Sequence, residues 1–224
     1  MEDCHNSNKT VGKLNEFLTD AGWEVFFVRN AKSMLGALRD GLTDCKVNPK
    51  DYVIFCHDDI EILNNTKYFN SIVDAKLSDP TTGFIGCAGT ALVTEDINWF
   101  ACSRKHNCGG GMVYHGKDYK TMFATPYGGA KNVVTLDGVF LAATGKVFAG
   151  VRLTAPKSWV SNWHHYDTML TLQAHVQKKI NRIAPLSIRH ESGGDYSADY
   201  YSDIPRVAKS FAKYLPAHQE NQEL

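Results

Sequence analysis

An apolar run that ends in charged residues constrains this chain more than any other stretch. Residues 51–63 begin with β-branched and aromatic side chains, a composition typical of a buried strand. The same run then places His57, Asp58, Asp59 and Glu61 within five positions. Burying three carboxylates and an imidazole is unfavourable unless a cation or a polar ligand lies beside them. Because ligands of open α/β sheets bind at the carboxyl ends of the strands, we predict a divalent metal here and, through it, a phosphorylated substrate.

The bulk composition predicts one globular domain without a charge bias. The chain has 224 residues, and Lys plus Arg total 24, as do Asp plus Glu. We expect residues 1–216 to form the domain and residues 217–224 to form a polar, frayed tail. A net charge of zero argues against a general nucleic-acid binder, which usually carries a basic excess.

The sequence carries no signal for a membrane span or for secretion. No apolar run reaches the length of a spanning helix, and the first residues form neither a basic n-region nor an apolar h-region. The six cysteines include no CxxC pair, so we expect a cytoplasmic protein with reduced thiols. A zinc site built from Cys102, His106 and Cys108 remains an alternative, although a fourth ligand with matching spacing is absent.

Hydrophobic periodicity predicts an alternation of helices and strands. Stripes at helical spacing predict helices at 10–19, 34–42, 66–77, 146–148 and 207–215, with the longest helix directly after Trp163. Apolar runs predict strands at 23–28, 52–57, 83–89, 133–143 and 183–190. The β-α-β order at the start predicts parallel neighbours joined by a right-handed crossover. Residues 93–132, rich in Gly, Pro and Asn, predict short strands and long loops.

Two later segments carry further candidate groups. His-His-Tyr-Asp precedes a periodic helix, so Asp167 falls in or beside the first turn, as a general base or as a plain helix-start carboxylate. His190 closes a late strand, as a second metal ligand or as a hydrogen-bonded strand-end histidine. Gly193 and Gly194 behind it would let the backbone approach a phosphate.

Taken in order, these motifs resemble those of a known enzyme family. A strand ends in His-Asp-Asp, Asp-Gly interrupts the apolar run at 133–143, His-Tyr-Asp opens a helix, and a strand ends in His-x-Ser-Gly-Gly. Over residues 10–195 the chain resembles a glycosyltransferase of the GT-A fold, nearest to the family-2-like nucleotide-sugar enzymes. The resemblance implies an α/β fold, a single Rossmann-like GT-A domain with a mixed, mainly parallel sheet flanked by helices. A weaker similarity is to chlorovirus enzymes that decorate capsid glycans.

The resemblance implies a metal site. In the family, the last acid of a D-x-D motif binds the Mn²⁺ or Mg²⁺ that bridges the donor diphosphate, so Asp59 inherits this role. His190 matches a late histidine that completes the metal site in many members. His57 stands where the family has its first Asp, which usually contacts the ribose, and Asp58 is the substitute we expect for that contact.

The resemblance also implies the groups around the sugar and the base. Asp137 and Gly138 match the segment that lines the donor sugar, and Asp167 matches the catalytic base of inverting members. The family begins with an apolar strand that holds the nucleotide base, which we expect to be missing or very short here. His5 and Asn6 then remain as candidate contacts to the base.

The function expected from this resemblance is a metal-dependent, inverting hexosyltransferase. It would move a sugar from a nucleoside-diphosphate donor, expected to be a UDP-sugar, to a hydroxyl of a glycan or glycoprotein. Aromatic residues between 99 and 127, together with Trp159 and Trp163, are candidates for the acceptor surface. Two alternatives use the same residues, namely a metal-dependent phosphohydrolase and a non-catalytic sugar-binding module.

Overall fold

A computed structural model describes residues 4–193 and 197–219, with side chains from residue 9 onward. The helices are α1 (Cys4–Asp20), α2 (Met34–Asp44), α3 (Thr66–Leu77), α4 (Trp99–His106), α5 (Gly145–Gly150), α6 (Tyr166–Val176) and α7 (Ala198–Phe211), which continues into a 3-10 turn, Ala212–Tyr214. The strands are β1 (Tyr52–Cys56), β2 (Ile60–Ile62), β3 (Thr82–Gly86), β4 (Ala88–Thr90), β5 (Leu92–Val93), β6 (Gly109–His115), β7 (Phe123–Gly129), β8 (Asn132–Val133), β9 (Thr135–Leu136), β10 (Phe140–Thr144), β11 (Ile180–Ile183), β12 (Ile188–His190) and β13 (Ala217–His218).

The strands form two larger sheets and one separate pair. The first sheet has the order β1-β10-β3-β11-β8, and the second has the order β2-β12-β6-β4-β9 with β7 on β6. The separate pair is β5 with β13. Because β2 follows β1 after residues 57–59, the chain passes from the first sheet to the second at this turn.

Alternate residues of β1 and β10 pack into two different hydrophobic clusters. Phe55 and Leu141 belong to a cluster that also contains residues of α5 and α6. Ile54 and Phe140 belong to a second cluster that contains residues of α1 and α3. This burial on both faces explains why residues 52–56 form an unbroken apolar run. Each fully buried large side chain, such as Phe140, contributes about 1.5–3 kcal/mol to stability.

The α/β class with mixed sheets and flanking helices is confirmed, but mainly parallel pairing is wrong. Parallel pairs are β3 with β11 and β6 with β12, and most other pairs between described strands are antiparallel. The expected strand at 23–28 has no regular secondary structure and is not paired into either sheet. Phe26 and Phe27 within it are 49% and 44% exposed. The predicted β-α-β unit therefore lacks its first strand, and β1 instead pairs antiparallel with the distant β10.

Residues 93–132 contain more regular structure than the sequence predicts. They form α4 and the long hairpin of β6 and β7, in which the register shifts between Gly111 and Met112. Gly111 has a φ of +84°, and a Cβ there would overlap the carbonyl of Cys87. The sequence alone suggests that these glycines belong to loops. In the structure they lie at a β-bulge and where strands pack closely.

Three further expectations change in detail. The late strand at 183–190 is two strands, β11 and β12, which belong to different sheets. The helix after Trp163 has 11 residues, so it is shorter than α1 with 17 and α7 with 14. The last helix begins earlier than expected, at Ala198.

The C-terminal segment is ordered at its start. Ala217 and His218 pair with β5, so the expected polar tail begins as a strand, and residues 220–224 lie outside the described part of the chain. Within residues 4–193 and 197–219, no helix combines the length and apolar character needed to cross a membrane.

Candidate metal and catalytic centre

Backbone pairing brings His57, Asp59 and His190 together where the two sheets meet. Residues 57–59 form the turn between β1 and β2. β12 pairs antiparallel with β2 and places His190 opposite Ile60. The amide of Glu191 donates to the carbonyl of Asp59 at 2.9 Å, which extends this pairing to the turn. Residues far apart in the sequence therefore share one small region.

The three side chains direct possible ligand atoms at one another. Asp59 Oδ1 lies 3.2 Å from His190 Nε2 and 3.8 Å from His57 Nδ1. The two imidazole nitrogens are 3.3 Å apart, and all three atoms lie within 4.8 Å of one another. Ser192 adds its hydroxyl 3.0 Å from His190 Nε2 and its amide 3.3 Å from Asp59 Oδ2.

The electrostatics of the cluster favour an ionised Asp59 beside a neutral His57. Burial opposes the charge of Asp59, but the hydrogen bond and attraction of His190, with further help from His57 and Ser192, hold the pKa of Asp59 well below its usual value. Burial and the neighbouring His190 lower the pKa of His57. An ionised carboxylate and a neutral imidazole are the protonation states in which these groups bind metals.

This set of donor atoms fits a divalent transition metal. Three protein ligands leave coordination positions for water or phosphate oxygens. Imidazole nitrogen is a common ligand of transition metals, whereas Mg²⁺ is bound almost entirely by oxygen.

Glu61 belongs to a separate ion-pair network. It accepts hydrogen bonds from Arg189 at 2.7 Å, from Lys13 at 3.1 Å and from the Tyr119 hydroxyl at 2.6 Å. These contacts join β2 to α1, to β12 and to the segment between β6 and β7. Glu61 therefore stabilises the arrangement of the elements around the centre.

Tyr166 connects the histidine cluster to the turn between β9 and β10. Its hydroxyl lies 2.7 Å from His57 Nε2, and its side chain is only 6% exposed. A Cβ at Gly138 would overlap this hydroxyl, so the turn leaves room for it only because residue 138 is a glycine. Burial, followed by the charges of Asp167 and Asp137, raises the pKa of Tyr166, which therefore stays protonated.

The same turn brings two carboxylates near each other. Asp137 accepts a hydrogen bond from the amide of Val139 at 2.9 Å, which fixes the turn. Asp167 accepts from the amides of Gly138 at 3.1 Å and Thr168 at 2.7 Å. Burial and the charge of Asp137 raise the pKa of Asp167 to about 7. A carboxyl group with this pKa can accept a proton near neutral pH.

An uncommon backbone conformation sets the direction of Tyr166 and Asp167. His165, the residue before α6, is left-handed with a φ of 57°. This conformation costs on the order of 1 kcal/mol in a residue other than glycine. The imidazole stacks on Tyr200 of α7 at 4.4 Å, and its Nε2 lies 2.9 Å from the Tyr200 carbonyl oxygen. Contacts with α7 thus hold the start of α6 in place.

Comparison with known proteins assigns the chain to a family. A family model described as a glycosyltransferase-like family matches residues 7–187, most of the chain. The chain belongs to this family. It is a family-2-like glycosyltransferase with a GT-A-like fold, so its general reaction transfers a sugar from a nucleotide-sugar donor to an acceptor. A search of curated proteins gave no match.

A cavity of about 180 Å³ borders Tyr166 in this glycosyltransferase. It lies between the start of α2 and the segment that precedes α6. Trp159 lines the cavity, is 9% exposed, and has an indole Nε1 without a hydrogen-bond partner among the described residues. An aromatic side chain in a cavity wall is suited to pack against a sugar ring.

The predicted site residues of the glycosyltransferase separate into three groups. The structure brings Asp59, His190, Asp137, Gly138 and Asp167 together around Tyr166. Asp58 lies exposed in the same turn as Asp59. The backbones of His5 and Asn6 are part of α1, but their side chains, like all of Gly194, fall outside the described part of the chain.

The alternative zinc site is not formed within the described residues. Cys102, His106 and Cys108 do not assemble there into a metal-binding group. The Cys108 thiol instead lies 3.3 Å from the Thr90 hydroxyl and contacts the Cys102 carbonyl.

Sequence reasoning left three neighbouring residues without a role in the centre. His57 was expected only as a departure from the family motif, yet it offers a ligand atom. Tyr166 and Ser192 stand inside the His-Tyr-Asp and His-x-Ser motifs, but their contacts depend on folding. For His57, the sequence does offer one indication of a role in the centre, because histidine is a common metal ligand.

Proposed function

We propose that this glycosyltransferase is a metal-dependent, inverting enzyme that transfers a hexose from a UDP-sugar to a hydroxyl of a glycan or glycoprotein. The proposal rests on one observation. His57, Asp59 and His190 converge beside the turn that contains Asp137 and that donates the Gly138 amide to Asp167. One group of side chains suits a metal ion, and the other suits proton transfer and contact with a sugar.

The donor diphosphate lies beside the histidine cluster. Asp59 and His190 would hold Mn²⁺, and His57 Nδ1 faces the same point. When bound, the ion supplies positive charge that offsets the negative charge developing on the departing diphosphate. Ser192 orients both Asp59 and His190 through its hydroxyl and its amide.

Asp167 acts as the general base. Two backbone amides fix its carboxylate, and its raised pKa of about 7 makes it a stronger base than an ordinary aspartate. It takes the proton from the acceptor hydroxyl as the hydroxyl oxygen attacks the anomeric carbon. The bond from that carbon to the diphosphate breaks, and the opposite direction of attack inverts the configuration.

The donor sugar and the acceptor lie on opposite sides of Asp167. Asp137 and Gly138 line the donor sugar, and Asp58, exposed in the His57–Asp59 turn, contacts the ribose. The acceptor enters the cavity that Trp159 lines next to Tyr166. Trp163, which is 50% exposed, extends the aromatic surface beyond the cavity. A capsid glycan as acceptor remains a prediction of sequence similarity alone.

A donor panel tests the proposal. Purified protein is incubated with nucleotide sugars and glycan acceptors in Mn²⁺, Mg²⁺ or EDTA, and nucleoside diphosphate release and product mass are measured. We expect release with one donor, a product heavier by one hexose, and loss of both in EDTA. The absence of metal-dependent release with every donor would contradict the proposal.

Anomeric NMR of the product tests inversion. A product with the opposite anomeric configuration to the donor agrees with a single displacement assisted by Asp167. Retained configuration would exclude this role for Asp167. Phosphate release from simple esters without nucleotide would instead favour a phosphohydrolase, and glycan binding without nucleotide binding would favour a sugar-binding module.

A further inference from the structure

We propose that Tyr166 is a positioning residue that fixes the tautomer of His57, which makes His57 Nδ1 a third metal ligand and gives the site a preference for Mn²⁺ over Mg²⁺. The inference rests on the proposed metal site, and it concerns the part that His57 and Tyr166 of this chain play in that site.

The hydrogen bonds of His57 determine which nitrogen can bind a metal. Neutral imidazole has one N–H donor and one free electron pair, and the partner of one nitrogen sets the state of the other. His57 Nε2 lies 2.7 Å from the Tyr166 hydroxyl, while His57 Nδ1 faces Asp59 and His190. The Tyr166 oxygen can accept a hydrogen bond from Nε2–H, and in that tautomer Nδ1 presents its electron pair to Asp59 and His190.

The surroundings hold the Tyr166 hydroxyl in one place. Its ring packs edge-on against Phe55 with centroids 5.9 Å apart, and the side chain is 6% exposed. The hydroxyl occupies the space that a side chain at residue 138 would need. Gly138 thus has a role besides contact with the donor sugar, because it permits the hydrogen bond between Tyr166 and His57.

The third ligand changes which ion the centre prefers. With Asp59 alone, the donor atoms from the turn would be oxygens, as Mg²⁺ requires. With His57 Nδ1 added to His190 Nε2, two of three protein ligands are imidazole nitrogens. Nitrogen ligands bind transition metals more readily than Mg²⁺, so a histidine at position 57 favours Mn²⁺ more than an acid there would.

Titration with Mn²⁺ in the presence of increasing Mg²⁺ tests the preference. Free Mn²⁺ is followed by electron paramagnetic resonance, and pulsed measurements on bound Mn²⁺ count the coordinated nitrogens. We expect two nitrogens in the unmodified protein and one in His57→Asp, with a smaller excess of Mn²⁺ over Mg²⁺ affinity in that variant.

Two substitutions test the positioning role. Tyr166→Phe removes only the hydroxyl, and Gly138→Ala displaces it, so we expect each to weaken Mn²⁺ binding about tenfold or more, as loss of an outer hydrogen-bond partner of a ligand typically does. Tyr52→Phe is the matched control. The Tyr52 hydroxyl donates a hydrogen bond to the exposed Asp74 at 3.4 Å and not to a residue of the proposed metal site. Circular dichroism checks that each variant is folded.

The outcomes separate this inference from the proposed function. A single coordinated nitrogen in the unmodified protein, or equal Mn²⁺ affinity in Tyr166→Phe, would overturn the inference even if sugar transfer occurs. A two-nitrogen site that depends on Tyr166 would support it even if every nucleotide sugar fails as a donor.

Discussion

At the scale of single residues, Asp167 combines a fixed position with a raised pKa. Two backbone amides hold the carboxylate, and burial with the nearby charge of Asp137 raises its pKa to about 7. The helix dipole at the start of α6 would by itself lower that pKa, so burial is the stronger effect here. This combination allows Asp167 to exchange a proton with an acceptor near neutral pH.

Asp167→Asn is expected to lower kcat by roughly 10²–10⁴-fold, because an amide cannot accept the proton and general-base assistance is of this size. Donor binding should be unchanged, since the histidine cluster is intact. Steady-state kinetics and UDP titration measure the two effects. Asp20→Asn, an exposed change at the end of α1, is the control. Full activity of Asp167→Asn would exclude the base assignment.

The pH dependence of kcat follows from the same residue. Because only the ionised carboxylate accepts a proton, kcat should rise with pH through an apparent pKa of about 7 and level off above it. The contribution of Asp167 to stability changes with pH in the opposite direction to kcat. The folded protein binds this proton more tightly than the unfolded chain, so the Asp167 contribution to stability falls as pH rises from about 4 to 7. The decisive interval is pH 6–8, roughly one unit on each side of the pKa. A flat kcat profile across it would contradict the assignment of Asp167 as the base.

Residue types in the site were predictable, but their contacts were not. Asp59, His190 and Asp167 stand in motifs that the sequence displays. The proposed metal-binding role of His57 depends on the distance of its Nδ1 from His190, which follows from the pairing of β12 with β2. Gly138 was predicted from its place beside Asp137, but its close packing against Tyr166 arises only in the fold.

At the scale of elements, α7 anchors the segment that precedes α6. Asp203 of α7 is fully buried and accepts hydrogen bonds from the amides of Val160 at 2.8 Å and Ser161 at 2.6 Å. Its partner Arg206 lies 3.5 Å away. This carboxylate, with the His165 and Tyr200 stack, connects the C-terminal helix to the residues that line the Trp159 cavity.

Asp203→Ala should lower the free energy of unfolding by about 3 kcal/mol, because it leaves buried amides without an acceptor. Urea denaturation followed by circular dichroism gives the value. Asp199→Ala, an exposed change in the first turn of the same helix, should cost no more than about 1 kcal/mol. Equal, small effects of the two substitutions would show that the Asp203 contacts contribute little.

The elements that the sequence predicted well are those with a strong local pattern. The helix at 66–77 has the predicted bounds, because Asn65 caps it and its apolar stripe is regular. Residues 23–28 have the composition of a strand but find no partner in either sheet, and pairing is a property of the whole fold. The β6–β7 hairpin escaped prediction because its glycines serve close packing between strands.

At the scale of the whole molecule, β10 connects two hydrophobic clusters that together contact both sheets. β10 supplies Leu141 to one hydrophobic cluster and Phe140 to the other, and both side chains are fully buried. The second sheet continues directly from β1 through the His57–Asp59 turn. The centre should therefore lose its geometry when either cluster unfolds.

Phe140→Ala tests this coupling. We expect a loss of about 3–5 kcal/mol and a single unfolding transition, because the substitution opens a cavity in a core shared by the sheets. Tryptophan fluorescence and far-UV circular dichroism in urea should give the same midpoint. Phe123→Ala, at a side chain that is 59% exposed, is the control and should change stability little. Two separate transitions would show that the chain folds as two units.

Calorimetric titration of UDP tests most directly whether His57, Asp59 and His190 bind the donor through a metal ion. The titration is made with Mn²⁺, with EDTA, and with Asp59→Ala in Mn²⁺. We predict saturable UDP binding only for the unmodified protein in Mn²⁺. Equal UDP affinity in EDTA, or in folded Asp59→Ala, would contradict it.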